Sequence, residues 1–248
     1  MSFYKYILSG LLLAVSIVPA QAQTPAETTE EATPWYINGS LTVASEYMTR
    51  GFSDSNNKPA LQGGIVLGHA SGWEAEIWSS NVDYNDSHEA KAEVDFYLSY
   101  TLEAGPGDLS LGAAYYIYPG ADQSLDYDHH EFFALYKTAL QSIGDFGAEL
   151  WVSPDILTDA GTGVYINSTA DIPLGFVNNL SLVGSLGYQW IDDNARFGVP
   201  DYAEGSLGLA YTYEPFVLDV RYYDSSLSQT TCDNVCGPTV AGSLTWNW

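Results

Sequence analysis

Carboxylates recur at every second position in several alternating stretches of this chain: Glu74 and Glu76, Glu93 and Asp95, and Asp219 followed by Arg221. A spacing of two places side chains on one face of an extended strand. Glu46, Glu149, Asp171 and Glu204 fall on the polar face of their own stretches, and so does Arg50. Carboxylates along an aqueous passage lower the energy of cations and raise that of anions. The residues predicted to line a water-filled interior are therefore Glu46, Arg50, Glu74, Glu76, Glu93, Asp95, Glu149, Asp171, Glu204, Asp219 and Arg221, with Lys91 as a further opposing charge.

Other chemistry is thinly represented. The histidines are His69, His88, His129 and His130, and no Ser, His and Asp or Asn set shares one outward strand end, where a lipid hydrolase needs it. Neither catalysis nor a cofactor is expected. Asp122, Asp126, Asp128, His129 and His130 are ligand types for a divalent cation. A solvated acidic loop accounts for them better, and no metal site is expected. Cys232 and Cys236 lie four apart, which in an exported protein favours a local disulfide. A metal would need two more ligands, and that loop adds only Asp233.

The elements that carry these residues read as strands. From 238 to 248, Val240, Gly242, Leu244, Trp246 and Trp248 alternate with Thr239, Ala241, Ser243, Thr245 and Asn247, a strand with one apolar face ending on an aromatic. Twelve candidates emerge: 36–49, 60–68, 73–80, 91–103, 108–118, 130–140, 146–153, 163–172, 179–190, 202–213, 216–223 and 238–248. An even number lets a single-chain barrel return both termini to the periplasm. The connections alternate between long polar loops (50–59, 81–90, 119–129, 154–162, 191–201, 224–237) and mostly short turns (69–72, 104–107, 141–145, 173–178, 214–215), the asymmetry of outer-membrane barrels. The expected fold is an all-β, antiparallel up-and-down transmembrane barrel of twelve strands.

Facing follows from parity. Ile37, Leu41, Val43 and Tyr47 are expected to face lipid from the first strand, Val94, Phe96, Leu98, Tyr100 and Leu102 from the fourth, and Phe216, Leu218, Val220 and Tyr222 from the eleventh. Trp73, Trp190, Tyr213 and Trp246 would form interfacial girdles. The sixth strand is ambiguous, because Phe133 and Leu135 share a face with Glu131 and Lys137.

The N-terminus offers a route to such a membrane. Lys5, the apolar run 7–18 and Ala20-Gln21-Ala22 have the form of a cleaved secretory signal over 1–22, followed by a Thr-, Glu-, Ala- and Pro-rich periplasmic linker over 23–34 and a barrel over 35–248. No other segment reaches the roughly 20 apolar residues of a spanning helix. Thirty-one acidic residues against seven basic ones, a net charge of −24, exclude nucleic acid as an electrostatic partner. The expected location is the bacterial outer membrane. Expected partners are its lipid bilayer, the barrel-assembly machinery through the strand ending at Trp248, and small solutes or ions.

Two other architectures compete with an open pore. The inward charges can instead form a salt-bridged plug in a structural or gated barrel, since twelve strands lie between the filled and the open cases. A soluble periplasmic β-sandwich explains alternation but not the terminal Trp246-Asn247-Trp248 or the ordered long and short connections.

Residues 45–53, Ser-Glu-Tyr-Met-Thr-Arg-Gly-Phe-Ser, followed by Lys58-Pro59-Ala60-Leu61-Gln62-Gly63-Gly64, resemble the opening signature of the TorF-type porin family of proteobacteria. Glu93-Val94-Asp95-Phe96-Tyr97 and Ser153-Pro154-Asp155 resemble further segments of that family. Ser99 stands where the family commonly has Gly, and Trp248 where barrel-assembly signals usually have Phe. The resemblance implies an outer-membrane channel and brings neither a substrate nor catalytic residues. Within the signature, Gly51 allows a tight backbone, Gly63 and Gly64 thin the wall of the second strand, and Arg50 is expected to pair with Glu46.

Overall fold

The computed structural model describes residues 33–84, 90–141 and 143–248; the expected signal segment, residues 23–32 of the expected linker and His88 lie outside them. Fourteen strands follow in chain order. They are β1 (Trp35–Ala44), β2 (Met48–Thr49), β3 (Phe52–Ser53), β4 (Ala60–His69), β5 (Trp73–Asn81), β6 (Ala92–Ala104), β7 (Gly107–Ile117), β8 (His129–Leu140), β9 (Gly144–Ser153), β10 (Gly163–Pro173), β11 (Leu180–Ile191), β12 (Tyr202–Tyr213), β13 (Phe216–Ser225) and β14 (Thr239–Asn247). All except β2 and β3 join one closed antiparallel barrel in which each strand pairs with its neighbours in sequence. The barrel has the expected twelve strands.

Closure satisfies the last unpaired strand edges, which no water in a bilayer core would do. It is made by β1 against β14, from Ser40↔Asn247 to Ala44↔Ser243. Gly39 and Trp248 extend it with reciprocal N–H···O=C bonds of 3.0 Å. A Cβ on Gly39 would stand 2.3 Å from the Trp248 ring, so the terminal indole needs a glycine beneath it.

Side-chain alternation divides the wall into two chemically distinct faces. Leu98, Leu218, Val220, Leu244 and Trp246 are exposed outward, while Glu93, Asp95, Tyr97, Asp219 and Arg221 between them turn in. An apolar outer band of this extent belongs against hydrocarbon rather than water. Trp73, Trp190, Tyr213 and Trp246 are exposed near strand ends, where girdle aromatics belong. In β8, Glu131, Phe133 and Leu135 are all buried on the inward face and Lys137 shares it, so the mixed face of that strand is real.

The first strand departs from expectation. It ends at Ala44 rather than running to residue 49, and residues 46–55 are buried without interruption. Tyr47, expected to face lipid, is 4% exposed. The last residues of the expected first strand and the start of the expected external loop 50–59 instead fold together into the barrel mouth as the hairpin β2–β3. Its tip pairs Thr49 with Phe52 around Arg50 (φ 40°) and Gly51 (φ 83°), two consecutive left-handed residues as in a type I′ turn. A Cβ on Gly51 would lie 2.8 Å from Glu204 Cβ, so the tip is also too close to the wall for a larger residue.

Candidate functional site

The inner surface has two tiers. Towards the loop end of the barrel, the hairpin tip projects Arg50 across the mouth to β8, β9 and β10, on the far side of the ring from β1. Arg50 Nη1 and Nη2 donate to Glu131 Oε1 and Oε2 at 2.9 and 2.7 Å, a forked ion pair with both partners buried. Tyr116 adds a hydroxyl bond of 3.0 Å to Glu131 Oε2. The guanidinium lies 4.6 Å from the centre of the Tyr165 ring and 5.7 Å from that of Trp151, within cation–π range of both. The expected Arg50–Glu46 pair is therefore absent: Glu46 accepts from Thr239 Oγ1 at 2.8 Å instead. The early end of β1 is the physical reason, because it releases Arg50 from the strand face that Glu46 would have shared.

The other upper carboxylates are enclosed by phenols. Glu93 is 0% exposed and accepts from Tyr47 and Tyr84, and Asp95, also 0% exposed, accepts from Tyr97 at 2.9 Å. Glu204 accepts from Tyr165 at 2.6 Å. Phe52 packs edge-on against Tyr202 with ring centres 5.4 Å apart. These carboxylates line the seat of the hairpin rather than open water. Sequence reasoning placed Tyr97 on the inward face of its strand but missed Glu131 and the aromatics Trp151, Tyr165 and Tyr202. Parity was the available signal, since Tyr97, Trp151 and Tyr202 each lie two residues from an inward carboxylate on the same strand.

The tier towards the turn end is polar and less enclosed. Glu74, Glu76, Glu149, Asp219 and Arg221 are half-buried there, together with Lys137, a base the sequence reading left unassigned. Asp171 is exposed two residues before the end of β10. Tyr36 donates to Glu74 at 2.7 Å, and Arg221 folds back on Asp219 with three bonds of 2.7–2.9 Å. Small hydroxyl pairs complete the surface, Thr42 with Thr245 at 2.8 Å and Thr101 with Ser110 at 2.6 Å. Lys91 is exposed at the loop end.

The loops hold the hairpin from above. Cys232 and Cys236 form a disulfide, and the ring they close carries Val235, whose carbonyl accepts from Ser53 N at 2.7 Å. Phe52 bridges to Cys236, and Asn57 Nδ2 donates to Asn234 O at 3.2 Å. Lys58 pairs with Asp83. The acidic loop residues do not converge: His129 is buried and stacked on Tyr116, whereas Asp122, Asp126, Asp128 and His130 are exposed. Among the described residues no group of three His, Cys, Asp or Glu side chains is arranged to hold a metal ion.

Comparison with solved structures shows the same fold. The NanC porin superposes with a TM-score of 0.58 at 10% identity, over 83% of this chain and 98% of its own. The KdgM porin gives 0.55 at 8% identity, over 84% and 98%. An outer membrane channel from Pseudomonas putida F1 gives 0.51 at 11% identity, over 91% and 98%. At these identities the likeness is one of fold. No curated protein matches the sequence. The family model of a bacterial protein of unknown function, Gcw_chp, matches residues 28–247, and the chain belongs to that family.

Proposed function

We propose that this chain is an outer-membrane channel for small solutes that prefers cations and is restricted at its loop end by the β2–β3 hairpin. The observation that carries this reading is the division of the wall: an apolar outer band and an inner face on which carboxylates outnumber bases. An unpaired carboxylate in a dry interior would cost several kcal/mol, so the less enclosed tier around Glu76 is read as hydrated, with Glu149 there accepting from Trp151 Nε1 at 3.2 Å. Water in that tier, with this excess of negative charge, favours cations. The porin fold shared with the NanC and KdgM proteins supports the channel reading, as does the resemblance of residues 45–64 to the TorF-type signature.

The sign of charge also narrows the solute. A KdgM porin has been solved in complex with disordered oligogalacturonate, a polyanion. The inner face here repels such a ligand. The buried hairpin favours a gated barrel over a permanently open one, which joins the two architectures that sequence alone left in competition. Proteoliposome swelling with neutral, cationic and anionic solutes of matched size tests the reading. The cation should enter faster than the anion, and equal rates for all three would contradict it.

A further inference from the structure

The contacts of Arg50 describe a receptor for a guanidinium group. Glu131 offers both carboxylate oxygens to a planar fork, at 2.9 and 2.7 Å, and Tyr116 steadies one of them. Tyr165 and Trp151 supply ring faces at 4.6 and 5.7 Å. A forked carboxylate with flanking aromatics is the environment in which a guanidinium is bound better than a compact ammonium, because the planar cation both bonds in its plane and stacks. All four receptor residues belong to the barrel wall, whereas Arg50 belongs to the hairpin.

We infer that Glu131, Tyr116, Trp151 and Tyr165 form a wall site for guanidinium-bearing solutes, occupied at rest by the chain's own Arg50. The inference rests on the channel reading and names the solute class. Withdrawal of the hairpin without replacement leaves Glu131 a bare charge in an aromatic wall, which is strongly unfavourable. Arrival of a solute guanidinium exchanges one cation for another and removes that penalty. The hairpin then loses its ionic anchor to the wall while Phe52, Ser53 and Asn57 still tether it to Tyr202 and the last loop, so binding and release of the Arg50 tip are coupled through competition for one carboxylate. The left-handed backbone at Arg50, uncommon for a residue that is not glycine, is the conformational cost of placing the competitor at a hairpin tip.

Titration calorimetry on the folded protein in detergent micelles tests this with propylguanidinium, propylammonium and the neutral isostere propylurea. Arg50→Ala vacates the site and should bind propylguanidinium about tenfold more tightly than wild type, because self-occupancy lowers apparent affinity. Propylammonium should bind more weakly than propylguanidinium, and propylurea should gain nothing. Glu131→Gln combined with Arg50→Ala should abolish the gain. If Arg50→Ala fails the heat-modifiable mobility check for a folded barrel, Arg50→Met keeps the packed stem and takes its place. Equal affinity in wild type and the vacated variant, or a gain that survives Glu131→Gln, overturns the inference. The calorimetric readout needs no current, so its failure is distinguishable from failure of the channel reading, which would appear as no conductance from either protein.

Discussion

At the scale of single residues, the Arg50–Glu131 pair dominates the interior. Both side chains are buried, so the pair is held by geometry and hydrogen bonding rather than exposed to screening. Glu131→Gln should destabilise the folded barrel by about 3–5 kcal/mol by leaving a buried guanidinium without its countercharge. Glu46→Gln, which disturbs one hydroxyl contact, should cost about 1 kcal/mol or less. Urea unfolding in micelles followed by gel mobility compares the two, and equal costs would mean that the fork contributes nothing special. Arg50 was legible in the sequence as an inward charge, but its partner was not. Pairing it with Glu46 assumed that β1 runs to Thr49, and only the tertiary structure ends that strand at Ala44. Glu131 was obscured because Phe133 and Leu135 share its face, where an aromatic-lined mouth makes apolar inward residues appropriate.

At the scale of elements, strand number, order and facing were largely readable because a membrane wall imposes period-two alternation on every strand. Val94 to Leu102, Phe216 to Tyr222 and the terminal strand face as parity required. The hairpin was not readable: its residues alternate much as a strand does, and burial by distant walls leaves no local mark. Its Arg50-Gly51 tip was the one clue, since consecutive left-handed residues suit a tight hairpin. Leu98→Arg or Val220→Arg should cost about 2–4 kcal/mol if these positions face the bilayer midplane, whereas Ser99→Arg, turned inward, should be tolerated much better. Folding titrations into lipid vesicles measure this, and like behaviour on both faces would reverse the assignment of inside and outside.

At the scale of the whole molecule, the acid excess visible in composition is distributed usefully by the fold. Part of it is enclosed under the hairpin and part borders the less enclosed tier, so on the proposed channel reading the charge that meets a solute is that of Glu74, Glu76, Glu149 and Asp171, offset in part by Lys137, with Asp219 paired to Arg221. Charges act over about 8–10 Å at physiological ionic strength, so selectivity should persist there only if the passage is narrow. Composition alone predicted the sign of this field, while its division into a closed and an open tier depends on contacts between residues far apart in sequence. The reversal potential of single-channel currents across a potassium chloride gradient, for wild type and for Arg50→Ala, tests the central claim most directly. The account predicts brief wild-type openings, longer ones in the variant, and a potential of cation-selective sign in both; an anion-selective sign, or no current from either correctly folded protein, would contradict it.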